Sequence, residues 1–205
     1  YEAGERMFCG NILPDGLKNN QKLDTPIITP TTKAAAGHDE NTSEEEILNA
    51  GIVSKTDWDL IKKYSYDLFN FGSQYTSTKN LILVDTKFEF GRKKNDQIIL
   101  IDEILTPDSS RYFIADSYQE KFDNGDSPSQ LSKEFVRQWL IENNFMGQEG
   151  EIVPEMTADW INTISARYIE LYNKLIDQSF FKESKEFNLA KIQTVYDAFY
   201  QKYYA

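Results

Sequence analysis

The amino-acid sequence predicts an α+β fold, in which an antiparallel, hairpin-centred sheet is packed by helices. Two apolar runs favour strands, at about 81–90 and 97–104, and the polar turn 91–95 between them favours a hairpin. Apolar side chains then recur at helical spacing through the last third of the chain. Strands followed by helices, rather than alternating with them, are typical of the α+β class.

The composition limits the classes of protein that the chain can belong to. With 205 residues, 40% of them hydrophobic, the chain can bury a core, which excludes a disordered protein. The longest apolar stretches, 81–84 and 98–101, are too short to cross a bilayer, so we expect no membrane partner. A formal net charge of −11 disfavours nucleic acid as a partner. Cys9 is the only cysteine, which fits a reducing cytoplasm.

The first part of the chain changes character at residue 43. Residues 1–42 carry three prolines among several glycines and threonines, which predicts an extended segment before an α+β domain at 43–205. Ser43 and Glu46 form a capping-box pattern, so a short helix should run to about Gly51. Thr56 with Asp59 predicts a second helix start. The apolar face of that helix would be formed by Ile61, Tyr64, Leu68 and Phe71.

Three further helices are predicted in the C-terminal third, at about 129–145, 155–178 and 188–205. Each carries an apolar stripe on one face, and such stripes most often form the core. The stripes are Leu131, Phe135 and Trp139 in the first helix, Ile161, Ile164, Tyr168, Leu171 and Leu175 in the second, and Leu189, Ile192, Tyr196, Phe199 and Tyr203 in the third.

The predicted hairpin carries an unusual set of charges. Alternate side chains of a strand share a face, so Asp85, Lys87 and Glu89 should lie together. The second strand ends in Asp102 and Glu103, and a hairpin could bring Asp102 close to Glu89. Two neighbouring carboxylates suit Mg²⁺, which binds one or two carboxylates together with substrate phosphates. A solvated hairpin edge with cross-strand ion pairs remains the alternative from spacing alone.

A turn-like segment, 106–111, follows the second strand. Its serines and Arg111 could form a clasp for a phosphate ester, because arginine offers a forked set of donors. The alternative is a capped turn beside a solvated arginine. Arginines are scarce in this acidic chain, at positions 6, 92, 111, 137 and 167, so their locations are informative. Arg137, on a predicted helix, could add a second cation.

These segments together resemble the SAICAR synthetase family. Residues 84–91, 102–103 and 106–111 are similar to its signature segments, in family order. Further similarity to the longer form of the family lies at 8–10, 13–17, 29–34, 37–41 and 135–140, with Gln138 where aspartate is more usual.

The resemblance implies a two-lobed fold, somewhat like that of protein kinases, with ATP in the cleft between the lobes. It implies an ATP-dependent carbon–nitrogen ligation in de novo purine biosynthesis. The substrates would be ATP, carboxyaminoimidazole ribotide (CAIR) and aspartate, and the products SAICAR, ADP and phosphate. ATP would phosphorylate the CAIR carboxylate, and the aspartate amine would attack the resulting acyl phosphate.

The resemblance also implies roles for individual residues, among them Glu89 and Asp102 as the Mg²⁺ ligands. Lys87 would neutralise the reacting carboxylate and the transferred phosphoryl group, and Asp85 would orient the imidazole ribotide. The ribose and phosphate end would be held by Asp108, Ser109, Ser110 and Arg111, with Arg137 assisting. The extended segment would line the cleft through Lys33, His38, Asp39 and Glu40.

The chain departs from the family pattern at its front. The family's first lobe, with its glycine-bearing loop, its ATP-covering lysines and a Val-Arg-Gly…Gly-Ser segment, has no counterpart in this sequence. We therefore expect a C-terminal lobe that is inactive alone. A companion chain or segment would carry the first lobe. Without it, we expect the uncovered apolar surface to cause self-association. Two alternatives remain: a non-catalytic, truncated homologue that binds a phosphorylated metabolite, and an acidic interaction module.

Overall fold

The structure is a computed structural model that describes residues 1–32, 39–102, 104–148, 150–177 and 189–204. Within these ranges the chain forms helices and three two-stranded antiparallel sheets, in keeping with the predicted α+β class. The elements, in chain order, are β1 (Met7–Phe8), β2 (Asn11–Ile12), α1 (Glu44–Asn49), α2 (Lys55–Ser77), β3 (Leu81–Thr86), β4 (Glu89–Arg92), β5 (Ile98–Asp102), β6 (Ser110–Ile114), α3 (Ala115–Asn124), α4 (Glu134–Glu142), α5 (Ala158–Ile176) and α6 (Leu189–Tyr204).

The predicted capping box is confirmed at the start of α1. The Glu46 backbone N–H donates to the Ser43 hydroxyl at 3.2 Å, and the Ser43 N–H donates to the Glu46 carboxylate at 2.8 Å. Helix α2 begins two residues before the predicted start, because the hydroxyl of Ser54 caps it by accepting from Asp57. Phe71 belongs to the predicted apolar face of α2, yet this residue is 65% exposed.

The stretch 81–90 is divided between two sheets. Strand β3 pairs with β6, whereas β4 pairs with β5 to form the predicted hairpin. The hairpin turns at 93–97, where the Lys93 N–H donates to the Gln97 carbonyl at 2.9 Å. Strand β6 was not predicted, because Pro107, Asp108 and Ser109 immediately before it indicated a turn.

The core lies between the β3–β6 sheet and the helices α2 and α5. Gly72 of α2 allows close packing there, since a Cβ at this position would lie only 2.8 Å from Leu105 Cδ1 and would force that side chain to shift. The buried cluster consists of Leu81, Leu83, Tyr112, Leu131 and Leu171, and its flanks are Phe69, Leu105, Ile114 and Leu175.

The C-terminal helices follow their predicted positions more closely than their predicted packing. Leu171 of α5 is fully buried, but Ile161 at the start of the same stripe is 52% exposed. The prediction that the α6 stripe forms core is wrong for Tyr196 and Phe199, which are 58% and 53% exposed. Helix α3 was not predicted. In the part of the chain that the structure describes, no helix is long and apolar enough to span a membrane.

Because Tyr112 is buried, we expect the free energy of unfolding to decrease at alkaline pH. Burial raises the pKa of its hydroxyl from 10.0 to about 12, and the hydroxyl donates to the Leu105 carbonyl at 2.5 Å. Because the folded pKa lies above the unfolded one, this stabilisation is complete below the unfolded pKa and is lost as pH rises toward the folded pKa. We expect a loss on the order of 2 kcal/mol across that window.

Urea unfolding between about pH 8 and about pH 11 measures, by linkage, the part of this loss that falls below pH 11. The Tyr112→Phe variant is the control, because all other tyrosines titrate alike in both proteins. We expect the wild type to lose more stability than the variant over this range. Parallel pH dependence of the two proteins would contradict the assignment to Tyr112.

Candidate active site

Asp85 and Arg111 form an ion pair across the β3–β6 sheet. The strand register places these two residues opposite each other. The Arg111 Nε donates to both carboxylate oxygens of Asp85, at 3.0 and 2.9 Å, and Nη2 also contacts Oδ2. The hydrogen bond with Asp85 and the nearby charge of Glu134 raise the pKa of Arg111. The structure therefore joins two predicted site residues that lie 26 positions apart in the chain.

The turn before β6 is tied to the end of β3. The Lys87 N–H donates to the Ser109 carbonyl at 3.0 Å, and the Ser110 hydroxyl donates to the Thr86 hydroxyl at 2.8 Å. Ser110 is buried, whereas Asp108 is exposed. Of the two predicted serine ligands, Ser109 is thus the more accessible, although its hydroxyl also contacts that of Thr106 at 2.7 Å.

Lys87 lies between two carboxylates at the junction of the two sheets. Its Nζ is 3.0 Å from the Glu89 Oε1 and 3.4 Å from the Asp39 Oδ2. The hydrogen bond with Glu89, and to a lesser degree the one with Asp39, raises the pKa of Lys87. The lysine is therefore a cation at neutral pH, and it links β4 to the segment that contains Asp39 and Glu40.

The segment that contains Asp39 and Glu40 lies beside an isolated antiparallel β-bridge between Thr31 and Asn41. The Thr32 N–H donates to the Glu40 carbonyl at 2.9 Å. Glu40 is exposed. Two further residues predicted to line the cleft, Lys33 and His38, lie outside the described residues, as does Glu103.

Glu89 and Asp102 are direct partners in the β4–β5 hairpin, which confirms their predicted proximity. Directly opposed residues of an antiparallel pair have Cβ atoms about 4.5–5.5 Å apart. Two carboxylates in this position are the kind of oxygen donors that Mg²⁺ takes together with phosphate oxygens, and one of them, Glu89, is paired with Lys87 in this structure. A group of three or more histidine, cysteine, aspartate or glutamate side chains that could hold a metal by itself does not occur in the described ranges.

Arg137 lies apart from the strand ends, on α4. Its Nη1 is 3.0 Å from the Glu134 Oε1, and its side chain is 66% exposed. The charge of Glu134 also contributes, as the smallest of the causes, to the raised pKa of Arg111. Neither Glu134 nor Thr86, which contact predicted site residues, was among the predicted residues. Glu134 could have been predicted as a partner of Arg137, because a spacing of three residues is typical of ion pairs on a helix.

Solved structures define the fold class of this chain as that of the SAICAR synthases. One SAICAR synthase is 33% identical and superposes with a TM-score of 0.69, over 88% of this chain and 56% of the other. A SAICAR synthase from Saccharomyces cerevisiae, complexed with SAICAR, is 35% identical with a TM-score of 0.67, over 84% of this chain and 54% of that chain.

Sequence comparison agrees with the fold. The SAICAR synthetase family model matches residues 1–154, and the chain belongs to this family. It is 53% identical over 193 residues to the phosphoribosylaminoimidazole-succinocarboxamide synthase of Azobacteroides pseudotrichonymphae genomovar. CFP2, covering 94% of this chain and 59% of the relative. It is 56% identical over 188 residues to that of Cytophaga hutchinsonii, covering 92% and 60%. The chain thus spans about 60% of the length of these relatives.

Proposed function

We propose that this chain is part of a cytoplasmic, ATP-dependent ligase that joins aspartate to CAIR and releases SAICAR, ADP and phosphate in de novo purine biosynthesis. The observation that carries the proposal is the position of Lys87, a cation held between carboxylates at the junction of the two sheets, within a chain of this family. The activity belongs to the complete ligase, whose ATP-covering lobe would come from a further segment or a companion chain.

The chemistry requires neutralisation of negative charge at two moments. The CAIR carboxylate first attacks the γ-phosphorus of ATP, which releases ADP and leaves an acyl phosphate. The aspartate amine then attacks the acyl carbon, loses a proton, and expels inorganic phosphate. Lys87 would lie against the reacting carboxylate and the transferred phosphoryl group. A fixed cation in such a position stabilises charge that develops in the transition state.

Glu89 and Asp102 would hold Mg²⁺. When bound, the ion would neutralise the phosphate oxygens of ATP. Glu89 also pairs with Lys87, so the carboxylate that would bind the metal fixes the position of the lysine as well. This arrangement couples the proposed metal site to the proposed catalytic cation.

The ribotide would be bound by the β3–β6 strand ends. Asp85 would orient its imidazole ring, and Arg111 would hold its phosphate. Because Arg111 is paired with Asp85 in this structure, bound phosphate would have to share or replace that carboxylate. The turn residues Asp108, Ser109 and Ser110 would complete the ribose and phosphate site, with Arg137 assisting and with the Lys33–Glu40 segment lining the cleft.

One observation also suits the alternative of a non-catalytic module. Ion pairing of Glu89 with a lysine is what a surface hairpin edge would show, and Lys87 provides it. A module of this kind could bind a phosphorylated metabolite through Arg111 without any reaction. Formation of SAICAR from CAIR separates the two functions.

The test is formation of SAICAR from CAIR, compared between this chain alone and the complete product of its gene, with intact masses recorded for both. We expect product only with the complete protein, and only when ATP, aspartate and Mg²⁺ are all present. Binding of SAICAR by the complete protein without turnover would instead support the module.

The variants Glu89→Gln and Asp102→Asn test whether these two residues bind Mg²⁺. Each removes one charge from the opposed pair, so we expect the Mg²⁺ concentration for half-maximal rate to rise roughly tenfold or more. Asp67→Asn is the matched control, because Asp67 pairs with Lys63 on the surface of α2. An unchanged Mg²⁺ requirement in both site variants would exclude this pair as the metal ligands.

A further inference from the structure

Arg167 of α5 differs from the other arginines in its electrostatic surroundings. Its Nη1 donates to the Gln130 carbonyl at a long 3.4 Å, and its guanidinium lies 4.3 Å above the ring of Phe135. It has no ion pair with any described carboxylate, in a chain of net charge −11. The remaining arginines, Arg6, Arg92, Arg111 and Arg137, are all paired with aspartate or glutamate.

A cavity of about 450 Å³, broadly open to solvent, lies beside this arginine. Its volume lies in the range of about 300–1,000 Å³ that is typical of small-molecule sites. The wall combines the cation Arg167 and the carboxylate Glu170 with four apolar residues and two polar ones. The apolar residues are Ile114, Pro128, Leu131 and Phe135, and the polar ones are Ser129 and Gln130.

The charged residues of the cavity wall indicate which class of ligand could bind there. Among the described residues that line the cavity, Arg167 and Glu170 carry the charges, and these two charges cancel. A phosphate dianion would be poorly balanced there, particularly within an acidic protein. Residues three apart on a helix have Cβ atoms about 5–6 Å apart. That separation suits a ligand whose carboxylate and ammonium groups are close neighbours, as in an α-amino acid.

We propose that this cavity binds a free α-amino acid with an apolar side chain. The ligand carboxylate would accept hydrogen bonds from Arg167, and its ammonium would donate to Glu170. Its side chain would pack against Ile114, Leu131 and Phe135. An acidic amino acid fits less well, because its second carboxylate would be placed against this apolar wall. The site does not depend on the proposed ligase reaction.

The test uses the 205-residue chain with three probes: L-leucine, 4-methylpentanoate, which is leucine without its ammonium group, and inorganic phosphate. The reporter is the indole N–H resonance of Trp160, whose ring lies 5.5 Å from that of Phe135. We expect leucine to shift this resonance with a dissociation constant on the order of 1 mM or lower. The Trp58 resonance should stay unchanged.

Two variants identify the contacts. Arg167→Gln should weaken leucine binding about 10- to 100-fold, as loss of a charged hydrogen-bond donor predicts. Glu170→Gln changes an exposed side chain and should leave the fold intact, while reducing the preference for leucine over 4-methylpentanoate to about one. Arg92→Gln should bind leucine like the wild type, because Arg92 is paired with Asp57 and lies outside the cavity wall.

Three results would overturn the proposal. They are the absence of a saturable shift with leucine, tighter binding of phosphate than of leucine, and an unchanged preference for leucine in Glu170→Gln. If Arg167→Gln fails to fold, the Glu170→Gln comparison still decides the question.

Discussion

Replacing Lys87 by glutamine in the complete ligase is expected to lower kcat for SAICAR formation by about 10²–10³-fold, the usual effect of removing one charge-stabilising group from an active site. The substitution also leaves Asp39 and Glu89 without the cation that now lies between them. Ground-state binding of the substrates should change less than kcat, since the lysine would act mainly on charge that develops during the reaction. Steady-state kinetics with CAIR, ATP and aspartate measure both quantities.

Lys63→Gln is the matched control for this experiment. Lys63 pairs with Asp67 on the exposed surface of α2, so the same charge is lost away from the strand ends. Its kcat should equal that of the wild type. If Lys87→Gln also retained full kcat, the proposed role of Lys87 would be wrong, and the lysine would be only an ion-pair partner of the hairpin.

Replacing Leu171 by alanine should have the largest effect on stability. Leu171 of α5 is fully buried, in a cluster with Leu81, Leu83 and Tyr112 of the β3–β6 sheet. Truncation of a buried leucine costs about 2–5 kcal/mol, from lost burial and from the cavity that remains. That is a large fraction of the 5–15 kcal/mol by which domains are typically stable. Urea unfolding would show it as a lower midpoint at a similar m-value.

Ile161→Ala on the same helix provides the comparison. Ile161 is 52% exposed, so its truncation should change the free energy of unfolding by only about 0.5 kcal/mol. The two variants share helix propensity effects of similar size, which leaves packing as the main difference between them. Equal destabilisation by both would mean that α5 does not pack on the sheet through Leu171.

Local chemistry made several features predictable from the sequence. The capping box of Ser43 and Glu46 depends on three-residue spacing alone, and it occurs as predicted. The apolar runs on either side of a short polar turn indicated a hairpin that could bring Glu89 close to Asp102, whereas the register that sets them directly opposite each other came from the structure. Family membership was also predictable, since several motifs occur in family order along the chain.

Other features required the tertiary structure. The pairing of Asp85 with Arg111 depends on which strands become neighbours. Strand β6 itself was not predicted, because the residues before Arg111 are typical of a turn. Helical periodicity predicted α6 and the face of α2, but it could not show that Tyr196, Phe199 and Phe71 would remain exposed. A stripe shows only that one side of a helix is apolar. Whether another element covers that side is decided by long-range packing, which local spacing in the sequence does not encode.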